Sequence, residues 1–188
     1  MNRKPLAIAA LVASCGFATA SAQSTGNMVD AAQFQVENPI PFTLAVGGSS
    51  QQRLAQTLTV EVGGRLAGVF LPINCATGKL LVEIRDVKGD LPGSRIHASQ
   101  SVRASDLDAP FRFTFVDMRS RHVFTPGTQL AIVVSNDKGS CGLAPAPVSV
   151  AYPGGRGSFE ALPNPPGFIP FANFPATADD LPFQLVLE

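Results

Sequence analysis

The feature that constrains this chain most is a short-range alternation of apolar and polar residues, repeated many times and cut each time by a Gly- or Pro-bearing turn. Residues 56–62 put Leu58, Val60 and Val62 on one side and Thr57, Thr59 and Glu61 on the other. Residues 79–87 do the same with Leu80, Val82 and Ile84 against Glu83 and Arg85, and residues 130–134 add the row Leu130, Ile132, Val134. Phe111-Arg112-Phe113-Thr114-Phe115 is the cleanest alternation, and Phe183, Leu185 and Leu187 form the last one. A period of two over four to eight residues marks a half-buried strand. Further strands are expected over residues 65–73, 147–152 and 157–162. Long stretches with the 3.6-residue period of a helix are missing.

The connections have turn chemistry. Gly63-Gly64, residues 88–94 (Lys-Gly-Asp-Leu-Pro-Gly-Ser), 125–128 and 136–139 supply Gly, Pro, Asp and Asn where the chain must reverse. Strands with one apolar face bury it by packing two such faces together. The expectation is therefore an all-β fold: a single antiparallel β-sandwich, jelly-roll-like, at residues 50–188. Residues 23–31 are polar and small and read as a flexible lead-in. With Asn38-Pro39-Ile40-Pro41 delaying the first strand, 23–49 is assigned to lead-in and first strand.

Residues 1–22 have the order of a secretory leader, with Arg3 and Lys4 first, an apolar run over 6–18, and Ala20-Ser21-Ala22 as the cleavage site. The run is shorter than the roughly 20 residues of a membrane-spanning helix, and no other stretch approaches that length. The mature chain is thus expected to be secreted or periplasmic, with no transmembrane segment. An alternative is anchoring through Cys15, because Val12-Ala13-Ser14-Cys15 has the form of a bacterial lipidation site.

Beyond the leader two cysteines remain, Cys75 and Cys141. In an oxidising compartment an even count reads as one disulfide, with two buried thiols as the alternative. Without Arg3 and Lys4 the chain's 14 basic residues fall to 12, against 14 acidic ones. No Lys/Arg run interrupts the chain, so it lacks the basic footprint of a nucleic-acid partner.

No arrangement of residues announces catalysis. Gly139-Ser140-Cys141-Gly142 has no following helix and is not a nucleophile elbow. His97 and His122 are the two histidines available as a base for a small secreted hydrolase, and both read as surface residues. Asp86 and Asp90 flank a tight turn. A structural calcium is the one cofactor the sequence offers, with Asp179, Asp180 and Glu188 as ligands and Asp137 in a loop. With no Trp, one Tyr and thirteen Phe, aromatic ligand contacts fall to Tyr152 and to Phe168, Phe171 and Phe174. These three Phe residues lie in the proline-rich segment 163–175, which is either a site or packing at the end of the sandwich. Arg156 would add a charged donor fork.

The segments LAQTLTV (54–60), GRLAGVFLPINC (64–75), GKLLVEIRDVKGDLPGSRIHAS (78–99), the run 111–142, VAYPGGRGSF (150–159) and DLPFQLVL (180–187) follow one another in a familiar order. Together they resemble bacterial extracellular jelly-roll modules, similar to carbohydrate-binding or galactose-binding-like β-sandwiches. The resemblance spans most of the chain after the leader and is carried by strands and turns. It implies a non-catalytic surface-binding domain whose partner is a glycan or cell-surface component. Such modules place a Trp near the final loop, where this chain has Phe168, Phe171 and Phe174. A protein partner, in an envelope or matrix assembly, is the alternative.

Overall fold

The structure is a computed structural model that describes residues 26–37, 43–171 and 179–188. These residues form twelve strands and one short 3-10 turn. The strands are β1 (Met28–Gln33), β2 (Leu44–Val46), β3 (Arg53–Thr59), β4 (Gly64–Lys88), β5 (Leu91–Arg103), β6 (Phe113–Asp117), β7 (Val123–Phe124), β8 (Gln129–Ser135), β9 (Gly139–Leu143), β10 (Gly157–Glu160), β11 (Ile169–Pro170) and β12 (Phe183–Leu187). All the pairings between them are antiparallel. The expected all-β class holds.

The organising element is β4, which runs for 25 residues. Its C-terminal half lies between β5 and β8, and the ladder continues through β3 and β10 to β11. Its N-terminal half lies between β6 and β12, with β1 beyond β12 and β7 at its start. Between the halves, β9 pairs with residues 73–78 of β4 and carries β2 on its far edge. We refer to the C-terminal set as the large arm and the N-terminal set as the small arm. Leu80, Val82 and Ile84 join Leu54, Leu58, Leu130, Ile132 and Val134 on the large arm; Val69, Leu71, Val116, Phe183 and Leu185 come from the small arm. All of them belong to one buried cluster. The layers are therefore continuous through β4, and the result is a single antiparallel sheet curled over its own core. Each such side chain removed from water contributes about 1.5–3 kcal/mol.

Residues 65–73 and 79–87, expected as two strands, are one. Asn74 to Gly78 stays in the ladder, opposite β9, with a register shift between Cys75 and Thr77. Gly78 (φ +84°) and Gly139 (φ +117°) face each other at this point. A Cβ on Gly78 would lie 2.1 Å from the Lys138 carbonyl oxygen, so only glycine lets the two backbones close. Cys75 and Cys141 are direct cross-strand partners there and form the expected disulfide.

Three further expectations change. The lead-in 23–31 is not all flexible: from Met28 it is β1, paired with β12. Asp30 of that strand accepts hydrogen bonds from the backbone N–H groups of Glu61, Val62 and Gly63 at 2.8, 2.8 and 3.0 Å. This carboxylate turns the chain after β3, leaving Val62 57% exposed instead of in line with Leu58 and Val60. Residues 147–152 form a turn and not a strand. The Phe111–Phe115 alternation is a strand only from Phe113, and its Phe side chains do not face the core. Residues 38–41 and residues 1–22, expected to be a leader and including Cys15, lie outside the described residues.

Candidate functional site

The segment 151–157 draws together many of the residues singled out from the sequence, and it is held from below by Asp180. Gln56, facing inward on β3, donates to Asp180 Oδ1 at 2.8 Å and accepts the Leu181 backbone N–H at 2.7 Å. Asp180 Oδ2 accepts the Tyr152 backbone N–H at 2.6 Å, and the Asp179 carbonyl accepts Gly157 N–H at the same distance. Asp180 is 1% exposed. Burial raises its pKa, opposed by the bonds from Tyr152 and Gln56 and reinforced by the nearby Asp179 charge. Both carboxylate oxygens are thus committed to the protein.

Tyr152 is buried as well. Its ring meets Phe183 edge-on at 5.2 Å, its hydroxyl donates to the Thr59 carbonyl at 3.4 Å, and burial raises its pKa. It packs the core and does not offer the open aromatic face expected of it. The proposed calcium ligands are dispersed: Asp180 is internal, Asp179 is exposed, and Glu188 pairs with Arg65 at 3.9 Å. Among the described residues no three His, Cys, Asp or Glu side chains converge to hold a metal.

Arg156 is different. Its backbone is pinned to β3: Thr57 N–H donates to the Arg156 carbonyl at 2.9 Å, and Arg156 N–H donates to Thr57 Oγ1 at 3.0 Å. Its guanidinium reaches outward, 49% exposed, to Asp90 at 3.3 Å on the tip of the β4–β5 hairpin. Gly89 and Asp90, with φ of +59° and +64°, form the tight turn that presents this carboxylate. A cleft of about 250 Å³ lies between the two walls, over Thr57, Thr59 and Gln129.

The proline-rich segment divides. Phe171 is buried and stacks against Phe159 at 6.1 Å. Phe168 is half-buried over Ala55, Ala131 and Val133 on the outer face of the large arm, with the Arg53 guanidinium 5.2 Å from its ring. Arg53 in turn pairs with Glu160 at 2.9 Å. Phe174 falls outside the described residues. For Phe171 the structure gives the packing role.

His97 occupies a β-bulge, since Ile84 faces Ala98 while Arg85 already faces Ile96. Its ring lies 5.0 Å from His122 and 5.4 Å from Phe124. Its pKa is lowered, first by burial, then by His122 and Arg95, with Asp86 opposing. Ser120 Oγ donates to the His97 carbonyl and accepts the His122 backbone N–H, so this hydroxyl serves backbone groups and neither ring. Asp86 accepts the Arg95 backbone N–H at 2.9 Å, shaping the hairpin.

Sequence reasoning missed the outer face of the small arm. In β6 the inward residues are Thr114 and Val116, which leaves Phe113 and Phe115 pointing out beside Phe70 of β4. The Phe70 and Phe115 rings are 4.9 Å apart, and Phe115 is 37% exposed. Phe115 lies across Gly68, where a Cβ would come within 2.7 Å of its ring. Gln184 of β12 is the cross-strand partner of Phe70, and Asp117 and Arg119 pair at 3.3 Å at the other margin. One signal was available: Asp117 is in phase with Phe113 and Phe115, so that face ends in a charge.

No known protein family, curated protein or solved structure matches the chain.

Proposed function

We propose that this is an exported, non-catalytic binding domain that holds glycan or cell-envelope material. The observation that carries the reading is the row of Phe70, Phe113 and Phe115 turned outward on the small arm. Phe115 is 37% exposed beside the half-buried Phe70 and Phe113, and a ligand that covers the row gains about 25 cal/mol for each Å² of apolar surface it removes from water. The apolar face of a pyranose ring suits such a row, because it stacks on aromatic rings while its hydroxyls reach polar groups at the margin. Gln184 and the Asp117–Arg119 pair stand at those margins. Export is supported by the leader-like residues 1–22. It is compatible with the Cys75–Cys141 disulfide, and among the described residues no helix is long and apolar enough to cross a membrane.

The test is a glycan array probed with the exported protein and with Phe115→Ala, in calcium and again in EDTA. Specific binding to the parent, lost in Phe115→Ala with unfolding free energy changed by less than about 1 kcal/mol, supports the reading. Binding that ignores the substitution would sink it. Loss in EDTA would bring the acidic side chains back as metal ligands.

A second reading, assembly with another protein chain, has its own observation. Ile96 and Val123 are 48% and 65% exposed on β5 and β7, strands that, like Phe115's β6, pair with β4. Self-association at micromolar concentration, abolished by Val123→Lys, would favour it; a monomer that binds glycan removes it.

A further inference from the structure

The cleft under the Arg156–Asp90 pair belongs to the other arm and shares no residue with the aromatic row. We infer that it is a second ligand site, and that it takes a neutral vicinal diol of a sugar or polyol. Its walls are a loop fixed to the sheet and a hairpin tip fixed by its own turn. Thr59 Oγ1 donates to the Gly154 carbonyl at 2.9 Å, and a Cβ on Gly155 would lie 1.8 Å from the Thr57 carbonyl oxygen, so the loop backbone lies flat on β3. Arg156 is therefore presented by a rigid support, and little ordering free energy is lost when its guanidinium engages a ligand.

The chemistry of the rim selects the ligand. Arg156 offers several N–H donors and uses one nitrogen on Asp90. Asp90, with its side chain 64% exposed, offers acceptor capacity. Gln129, exposed on β8 as the cross-strand partner of Thr59, provides both, and its amide makes no hydrogen bond among the described residues. A hydroxyl donates and accepts at once, so two adjacent hydroxyls can give protons to Asp90 and take them from Arg156 without adding charge. An anionic ligand at this rim faces the Asp90 carboxylate, and a cationic one faces the guanidinium. The cleft is small and polar, sized for one ring or its edge.

The ligand class rests on the glycan reading above; the site does not depend on the aromatic row. The experiment titrates the isotope-labelled, disulfide-bonded exported protein with methyl β-D-glucopyranoside, methyl α-D-mannopyranoside and methyl β-D-glucopyranosiduronate. The expected result is movement of the Gly154 and Gly155 amides and the Gln129 side-chain amide with a neutral glycoside. The uronate should bind about tenfold more weakly, and Asp90→Asn should narrow that gap. Arg156→Ala should abolish the shifts while leaving the melting temperature in place, because among the described residues that guanidinium pairs with the exposed Asp90 alone. Phe115→Ala should leave them intact. Equal binding of the uronate, shifts that survive Arg156→Ala, or a cleft silent to all three probes would overturn the site. A silent cleft beside array binding that depends on Phe115 removes this site and keeps the function. A silent array removes the function itself.

Discussion

The outer faces of the two arms are built from the same alternation and end in opposite states. On the large arm the outward residues Ala55, Ala131 and Val133 are fully buried. They form a second, small apolar cluster with Val87 and Phe168 packed against it, and Arg53 and Glu160 complete the cover. On the small arm the outward residues include Val186, which is buried, the half-buried Phe70 and Phe113, and Phe115, which remains open. Small side chains on a strand leave room for a loop to fold back over them, and the chain after β10 does so through β11. Large rings on the short strand β6 fill the face themselves. An outward aromatic row with one ring exposed is informative where a scattered exposed Leu is not. The polar cleft at Arg156 lies at the end of the covered face, and Phe115 is the ring left exposed on the other face among the described residues.

The largest expected effect tests what the arms share. Cys75 and Cys141 join β4 to β9 midway between the arms and close a loop with a sequence separation of 66. Replacing both by Ser should lower unfolding stability by about 4 kcal/mol on the loop-entropy account. Chemical denaturation followed by probes in each arm should show both losing stability together. If the small arm melts first and the large arm is unaffected, the arms are separable units and the single-core description fails.

A smaller effect breaks the symmetry between the faces. Phe168→Ala removes the ring that covers Ala55, Ala131 and Val133 and its contact with Arg53, and should cost about 1–2 kcal/mol. Phe115→Ala should cost less than about 1 kcal/mol while removing glycan binding. Equal costs in denaturant unfolding would mean that the small arm's row is packed as tightly as the covered face.

Much of this architecture is legible in the chain. The rows Leu80-Val82-Ile84, Leu130-Ile132-Val134 and Phe183-Leu185-Leu187 are inward as their period demands, and Cys75 and Cys141 form the one disulfide expected of them. Alternation, however, identifies two faces without saying which is inside. In β6 the inward pair is Thr114 and Val116, and the larger Phe113 and Phe115 face out. Gly78 looks like a strand end and is the residue that lets β4 continue past β9. The misreadings at the site come from long-range partners. Asp180 looks like a metal ligand until Gln56, on β3, and the Tyr152 backbone occupy its oxygens. Tyr152 looks like a contact face until Phe183 closes on it. Short-range pattern carries no information on such pairs.

The smallest expected effects are titrations, and they separate two places in the molecule with opposite signs. Asp180, which ties the 151–157 loop to the large arm, has a pKa raised by burial above its unfolded value. The folded chain holds this proton more tightly, so its stabilisation is full below the ordinary carboxylate range and is lost as pH rises through the raised value. His97 lies where β5 of the large arm meets Phe124 of β7, at the start of β4. Its pKa is lowered from 6.5, so the folded chain holds that proton less tightly. The stability linked to it is full above 6.5 and is lost as pH falls through the lowered value. Melting temperature measured against pH should therefore lose its rise on acidification through the Asp180 range in Asp180→Asn. It should lose its fall below neutral pH in His97→Gln. An acid-side fall that persists in His97→Gln would assign the sensitivity to another group and leave the meeting point of the arms without a proton-linked contact.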